Sequence, residues 1–330
     1  MIELIKKGRD RVKIVFLDAK TIGKDIDLDC IKNLGETEIY DKTPNEETGL
    51  RIAKAQVVIT NKCKLNREVL AGAENLKLIC ITATGYDNVD MEYARSRNIA
   101  VCNVKDYSTD SVAQLTVGMA LSLCCRLNTY DAYCKSGKYT ESGIHNCLEP
   151  VFYELAGKTW GIYGFGNIGK KVAKVAQSLG CNILVCKRTP VKDVKCVSID
   201  ELFEKSDIVS VHTPLNEQTA GSINSHVLEK AKKGLVLVNV ARGAVTVEED
   251  VAQAVEKGIL GGFGCDVYSS EPMSHDSPFQ RLCGMENVIF TPHMAWGAYE
   301  ARVRLIDEVC RNIKAFSTGE IRNRVDLSSN

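Results

Sequence analysis

The sequence predicts an α/β protein built from two doubly wound parallel-sheet domains. Three observations carry that prediction. Short runs rich in β-branched and other apolar residues alternate with helical patterns along the whole chain, as parallel strands joined by crossover helices do. The 330 residues suffice for two domains of ordinary size. The alternation also falls into two series, the second of which contains the glycine-rich turn "GIYGFGNIG" (161–169).

The first series offers strands "KIVFLDA" (13–19), "TEIYD" (37–41), "QVVIT" (56–60), "LKLICITA" (76–83) and "IAVCNV" (99–104). Between them, "NREVLAGAENL" (66–76) reads as a helix with Val69, Leu70 and Ala73 on one face. Next comes a long apolar helix, "TDSVAQLTVGMALSLCCRLNTYDAY" (109–133). A helix so apolar must be buried in a core or a subunit interface. The second series has six strands: "KTWGIYG" (158–164), "NILVC" (182–186), "DIVSVHT" (207–213), "GLVLVNV" (234–240), "LGGFGCDV" (260–267) and "VIFTPH" (288–293). Six strands with helices between them match two βαβαβ halves. Ser198 to Glu201 has the form of a capping box, and Gly258 stands where a helix-ending glycine belongs. The segment 298–316 is amphipathic, with Val303, Ile306, Val309, Cys310 and Ile313 at helical spacing, and is expected to close back onto the first domain.

Composition narrows the classes of function. Apolar residues make up 45% and charged residues 25%, while Lys+Arg and Asp+Glu are both 42. A balanced charge argues against a general nucleic-acid or membrane-surface role but leaves room for a local basic pocket. No apolar run reaches a membrane span, and the N-terminal stretch lacks the apolar core of a signal peptide. The 14 cysteines include no CxxC pair and no zinc-like Cys/His spacing. Free thiols, several of them buried as at Cys80, Cys102, Cys186 and Cys265, in a reducing cytoplasm are expected, with no metal site.

Gly164, Gly166 and Gly169 form G-x-G-x-x-G between a strand and a helix whose stripe is Ile168, Val172, Val175, Ala176 and Leu179. In this context each glycine has a role. Gly164 permits the tight turn, Gly166 lets a pyrophosphate approach the backbone, and Gly169 lets helix and strand pack closely. The helix N-terminus near Asn167 and Ile168 then offers unpaired N–H groups to the phosphates.

Three polar residues follow later strands of the same series: Arg242 in "VNVARGA", Glu271 in "DVYSSEP" and His293 in "FTPHMAW". In a parallel sheet with right-handed crossovers these strand ends share one edge with the glycine turn. Together they suit carbonyl reduction by hydride transfer. A histidinium can protonate the oxygen, a neighbouring carboxylate favours that charged form, and an arginine can grip a substrate carboxylate in a two-pronged pairing.

These residues, with "TATGYDNVD" (82–90), "DSVAQ" (110–114), "GFGNIGKKVA" (164–173), "VHTPLNEQT" (211–219), "VNVARGAV" (238–245), "GFGCDVYSSEP" (262–272) and "VIFTPHMAW" (288–296), resemble the D-isomer-specific 2-hydroxyacid dehydrogenases over nearly the whole chain. The resemblance implies a flavodoxin-like substrate domain of residues 1–105 and 295–330 and a Rossmann cofactor domain of 106–294, closing by hinge motion. It implies His293 as acid/base, Glu271 as its partner and Arg242 on the substrate. Backbone N–H groups of Ala83, Thr84 and Gly85 would meet the substrate carboxylate. Asp266 would hold the nicotinamide side of the cofactor, Thr213, Pro214 and Thr219 would line the adenosine side, and Ala241 would join the cofactor contacts. The helix near 109–130 would lie in a homodimer interface.

Within the family, "VVITNK" (57–62) and "HMAW" followed by "EARVRL" (300–305) resemble glycerate dehydrogenases, also called hydroxypyruvate or glyoxylate reductases. Trp296 would then limit substrate size, and Asn61 and Lys62 end a first-domain strand. A lactate-like or phosphite dehydrogenase is the enzymatic alternative; Glu271 argues against a formate enzyme, which carries glutamine there. A dinucleotide-sensing corepressor-like scaffold is the non-enzymatic one, disfavoured by an intact Arg/Glu/His set. Two departures stand out. Gln114 and Leu115 replace the glutamate and histidine common in relatives. The second strand ends in Lys187-Arg188 where NAD-binding relatives carry an acid for the ribose hydroxyls. Positive charge and a forked donor suit a 2′-phosphate, so NADP(H) is the favoured cofactor and NAD(H) the alternative.

Overall fold

A computed structural model describes residues 11–189 and 194–327. Pro190, and residues 1–10 and 328–330 at the ends of the expected substrate domain, lie outside the described residues. The chain divides into two compact units, Met1–Ser108 with Gly297–Asn330 and Thr109–Trp296.

In the first unit, β1 (Lys13–Phe16), β2 (Glu36–Ile39), β3 (Val57–Thr60), β4 (Leu78–Ile81) and β5 (Ala100–Cys102) form one sheet in the order β2-β1-β3-β4-β5. Every pairing is parallel. That is the flavodoxin-like order. All four residues of β3 and of β4 are buried, because helices cover both faces of a parallel sheet and leave no polar side. The helix expected over 66–76 is shorter, Arg67–Ala71. The Asn66 side chain accepts the Val69 N–H at its start and Gly72 caps its end, while Leu70 and Ala73 stay fully buried. The C-terminal helix Tyr299–Thr318 packs on β4 and buries Leu305, Ile306, Val309 and Ile313. Beyond it the tail folds back: Arg324 pairs antiparallel with Cys102, and Asp326 accepts the Val101 N–H at 2.8 Å. The tail thus covers the free edge of β5, which would otherwise expose unpaired backbone groups.

In the second unit, β6 (Thr159–Tyr163), β7 (Asn182–Cys186), β8 (Ile208–Val211), β9 (Leu235–Asn239), β10 (Leu260–Cys265) and β11 (Val288–Phe290) form a parallel sheet in the order β11-β10-β9-β8-β6-β7. A single parallel bridge between Val185 and Cys196 adds a rudimentary strand outside β7, which the sequence reading had not distinguished. Counting that bridge, the order is the doubly wound 3-2-1-4-5-6 with one further strand. The direction of winding reverses between β6 and β8, so the crevice of this sheet opens directly after β6.

The long helix does not run unbroken from 109 to 133. Thr109–Cys124 is one helix and Leu127–Lys135 another. Arg126 between them adopts a left-handed backbone, φ 55°, and its guanidinium donates to the Gly261 carbonyl at 3.1 Å. The first helix buries Val112, Ala113, Met119, Ala120 and Leu123 against the sheet core with Trp160 and Val238. Its apolar character is therefore explained largely by this core.

Candidate active site

The phosphate turn follows β6 at the switch point. Gly164 has φ 96°, and a Cβ there would lie 2.5 Å from the Thr213 nitrogen. A Cβ on Gly169 would lie 2.2 Å from the Gly164 oxygen. At Gly166 a Cβ would meet nothing within 4 Å. The first and third glycines are thus required by packing, and the second keeps space open beside the N-terminus of the helix Asn167–Ser178. The first turn of that helix holds no acidic residue. A helix cannot satisfy its leading N–H groups internally, so a helix start with no acidic residue beside an open Gly166 fits a dinucleotide diphosphate.

Around the turn the structure sorts the remaining expected contacts. Thr213 is buried behind Gly164. Thr219 is also buried, and its hydroxyl donates to the Pro214 carbonyl at 2.7 Å and accepts the Asn216 N–H at 2.9 Å. It therefore fixes the shape of the 214–219 turn. His212 lies beside them with Nε2 at 2.9 Å from the Ser210 hydroxyl, to which the Trp160 indole also donates. Burial pushes the His212 imidazole down to about 3, so this ring is neutral and inert as an acid. Lys187 and Arg188 stand exposed beyond the end of β7, with no hydrogen bond or ion pair among the described residues.

Arg242, Glu271 and His293 follow β9, β10 and β11, three neighbouring strands, and so line one edge of the sheet. His293 Nδ1 lies 2.6 Å from Glu271 Oε2, with the two side chains 26% and 31% exposed. The other Glu271 oxygen accepts the Tyr268 N–H at 3.2 Å. Arg242 donates one N–H to the Ala241 carbonyl at 2.7 Å. Its remaining donors have no protein partner among the described residues, which suits a fork for an incoming carboxylate.

The loops carrying these groups are themselves held. The Asn239 side chain, fully buried, accepts the Ala241 N–H and donates to the Arg242 carbonyl, which sets the turn after β9. A Cβ on Gly243 would sit 2.0 Å from the Tyr268 carbonyl carbon, so only glycine lets the Arg242 turn meet the loop of Glu271. The Tyr268 hydroxyl donates to the Thr291 carbonyl at 2.9 Å, joining that loop to the one carrying His293. Asp266, with no exposed surface, accepts the Thr291 hydroxyl at 2.5 Å and the N–H groups of Met294 and Ala295 at 2.8 and 2.9 Å. Burial outweighs these donors and pushes its carboxyl above the usual aspartate value. Asp266 thus holds the His293 loop on its two sides. Trp296 packs half-buried against the core of its own unit. Sequence reasoning missed Asn239 and Tyr268; their positions flanking the strand-end Arg242 and Glu271 were the available signal.

In the first unit, Ala83, Thr84 and Gly85 follow β4. Their carbonyls are tied back, Ala83 to the Val104 N–H at 3.0 Å and Thr84 to the Asn103 side chain at 2.7 Å. The N–H groups of these three residues have no acceptor among the described residues. Successive backbone donors left free in this way can meet an anion. Among the described residues no group of three or more His, Cys, Asp or Glu side chains is placed to hold a metal ion, and no helix is long and apolar enough to cross a membrane.

Comparison with known proteins agrees with this geometry. Residues 117–295 match the family model of the D-isomer specific 2-hydroxyacid dehydrogenase NAD binding domain. The chain is 35% identical over 325 residues to a hydroxypyruvate reductase of Blautia hydrogenotrophica, covering 96% of this chain and all of that one. Among solved structures it is similar to the D-lactate dehydrogenase of Aquifex aeolicus complexed with NAD and lactic acid, with TM-score 0.83, 28% identity and coverage of 96% and 100%. It is also similar to an acyclic imino acid reductase in complex with NADPH and D-arginine, with TM-score 0.83, 26% identity and coverage of 95% and 100%. A doubly wound sheet with an open glycine turn, a paired histidine and glutamate on the same edge, and a match along nearly all of its length place the chain in the D-isomer specific 2-hydroxyacid dehydrogenase family, oxidoreductases that work with a nicotinamide cofactor.

Proposed function

We propose that the protein reduces a small 2-oxoacid, hydroxypyruvate or glyoxylate, to its D-2-hydroxyacid, with NADPH preferred over NADH. The observation that carries the reaction is the 2.6 Å contact of His293 Nδ1 with Glu271. It orients the imidazole so that Nε2 is the atom left to exchange a proton with substrate oxygen. When bound, the cofactor supplies the hydride. Arg242 binds the substrate carboxylate and carbonyl oxygen through its unused donors; in the other unit, the N–H groups of Ala83, Thr84 and Gly85 are donors of the kind a carboxylate takes. The resemblance to a hydroxypyruvate reductase supports the choice of substrate class.

The cofactor preference rests on Lys187 and Arg188. Both are exposed at the end of β7, where an acid would accept the ribose hydroxyls of NAD and repel a 2′-phosphate. Gly164, Gly166, Asn167, Ile168 and Gly169 take the diphosphate. Thr213, Pro214, Thr219 and Ala241 lie along the adjoining loops. Asp266 reaches the nicotinamide through the loop it holds, and Trp296 bounds the substrate. The protein acts as a homodimer in a reducing compartment, the cytoplasm, a reading supported by its free cysteines.

A steady-state matrix of glyoxylate, hydroxypyruvate and pyruvate against NADPH and NADH tests the reading. The expected result is turnover of the first two substrates with NADPH at the higher kcat/KM. Tight cofactor binding without turnover of any 2-oxoacid would refute it.

A further inference from the structure

We propose that Glu248 is a positioning residue for the reaction, because it anchors the loop that presents Glu271 to His293. The proposal rests on the assignment of Glu271 and His293 as the acid/base pair.

Three acids stand in the first turn of the helix Glu248–Glu256. Two have ordinary surface duties: Glu249 pairs with Arg281 at 2.9 Å, and Asp250 accepts the Ser225 N–H at 2.7 Å. Glu248 differs. Only 9% of it is exposed, and it turns away from solvent. Its Oε1 accepts the Ser269 N–H at 2.7 Å, and its Oε2 accepts the Ser277 hydroxyl at 2.8 Å. The two oxygens therefore grip the two ends of segment 269–277, which contains neither helix nor strand up to residue 277. Glu271 sits two residues from the first grip.

A carboxylate suits this task. It offers two acceptors in a fixed fork, both bonds are charge-assisted, and a helix N-terminus favours the negative charge. The start of the same loop, at Tyr268 and Ser269, is also pressed by the Arg242–Gly243 turn, where no Cβ would fit. The loop is thus held by a backbone contact at its start and by Glu248 at both of its ends. Removing the carboxylate leaves the 2.6 Å pairing to be maintained by a segment that has lost both of these bonds. A displacement of about 1 Å at a reacting group can cost roughly 100-fold in rate.

The test uses the full-length protein with E248A, E248Q, E271Q and E248A/E271Q. E248A should lower kcat by roughly 10–100-fold while the Kd for NADPH stays nearly unchanged. E248Q keeps an acceptor for Ser269 and should recover most of the loss. If Glu248 acts through Glu271, adding E248A to E271Q should cost less than about threefold more, since residues acting as one unit are not additive. An equal loss in both backgrounds, or near-native kcat in E248A, would overturn the proposal. Should E248A fail to fold, E248Q and E248Q/E271Q carry the same comparison with a smaller expected loss. Amide exchange gives a readout independent of turnover: residues 268–277 should exchange faster in E248A and E248Q, with β9 and β10 unchanged. Unchanged protection in that segment would sink the anchoring even if the wild type reduced no 2-oxoacid, an outcome that would separately refute the functional reading.

Discussion

His293 occupies a left-handed backbone conformation, φ 51°, that side-chain-bearing residues seldom adopt. The loop keeps it there because Asp266 takes a hydroxyl and two N–H groups from residues 291, 294 and 295. H293A removes the proposed proton donor while leaving this scaffold in place. Its kcat should fall by about 10²–10⁴-fold with the NADPH Kd nearly intact, and near-native turnover would refute the assigned role. Lys187→Ser with Arg188→Ser should raise the KM for NADPH by about tenfold or more, the loss of one or two hydrogen bonds to a charged group, with little change for NADH. A wild type that prefers NADH would overturn that reading. Legibility in the sequence divides sharply at this scale. Arg242, Glu271 and His293 are readable because each stands just beyond an apolar strand. Glu248, Asn239 and Asp266 as holders of loops are not. Glu248 looks like one of three solvated acids at a helix start, and only the path of a distant loop gives it partners.

Elements were legible in proportion to how far local residues decide them. β3, β4 and β9 are continuous apolar runs and lie where their composition puts them. The break at Arg126 was not legible, since its reason is the Gly261 carbonyl, 135 residues away in sequence. The same holds for the tail over β5, whose sequence carries no periodic signal. Its pin is Asp326, 8% exposed. Burial pushes this carboxyl up, but bonds from Arg324 and the Val101 N–H outweigh burial and hold it below the usual aspartate value. A lowered folded value means that the stabilisation is fully present above the unfolded value and fades as pH falls through the folded one. D326N should therefore cost about 1–3 kcal/mol at neutral pH, and the deficit against wild type should shrink in the acid range below the ordinary aspartate value. Urea unfolding at a series of pH values checks this; a deficit independent of pH would count against it.

At the scale of the molecule, the segment 127–153 stands apart. Leu127, Ile144, Leu148, Val151, Phe152 and Tyr153 are all exposed, most by half or more. Apolar side chains so concentrated along one segment usually mark an interaction site, and here they support the proposed homodimer better than the helix Thr109–Cys124, much of whose apolar surface is already committed to the core. Phe152→Asp with Tyr153→Asp should shift sedimentation from dimer to monomer with the fold retained. A wild type that sediments as a monomer at micromolar concentration would refute the dimer. The division of labour between the two units has a wider consequence. Arg242, Glu271, His293 and the glycine turn all belong to Thr109–Trp296, whereas the row of free N–H groups at Ala83–Gly85 belongs to the other unit. Under the proposed reading, the groups that transfer the proton, grip the substrate and bound its size are all inherited on one stretch of chain, 242–296.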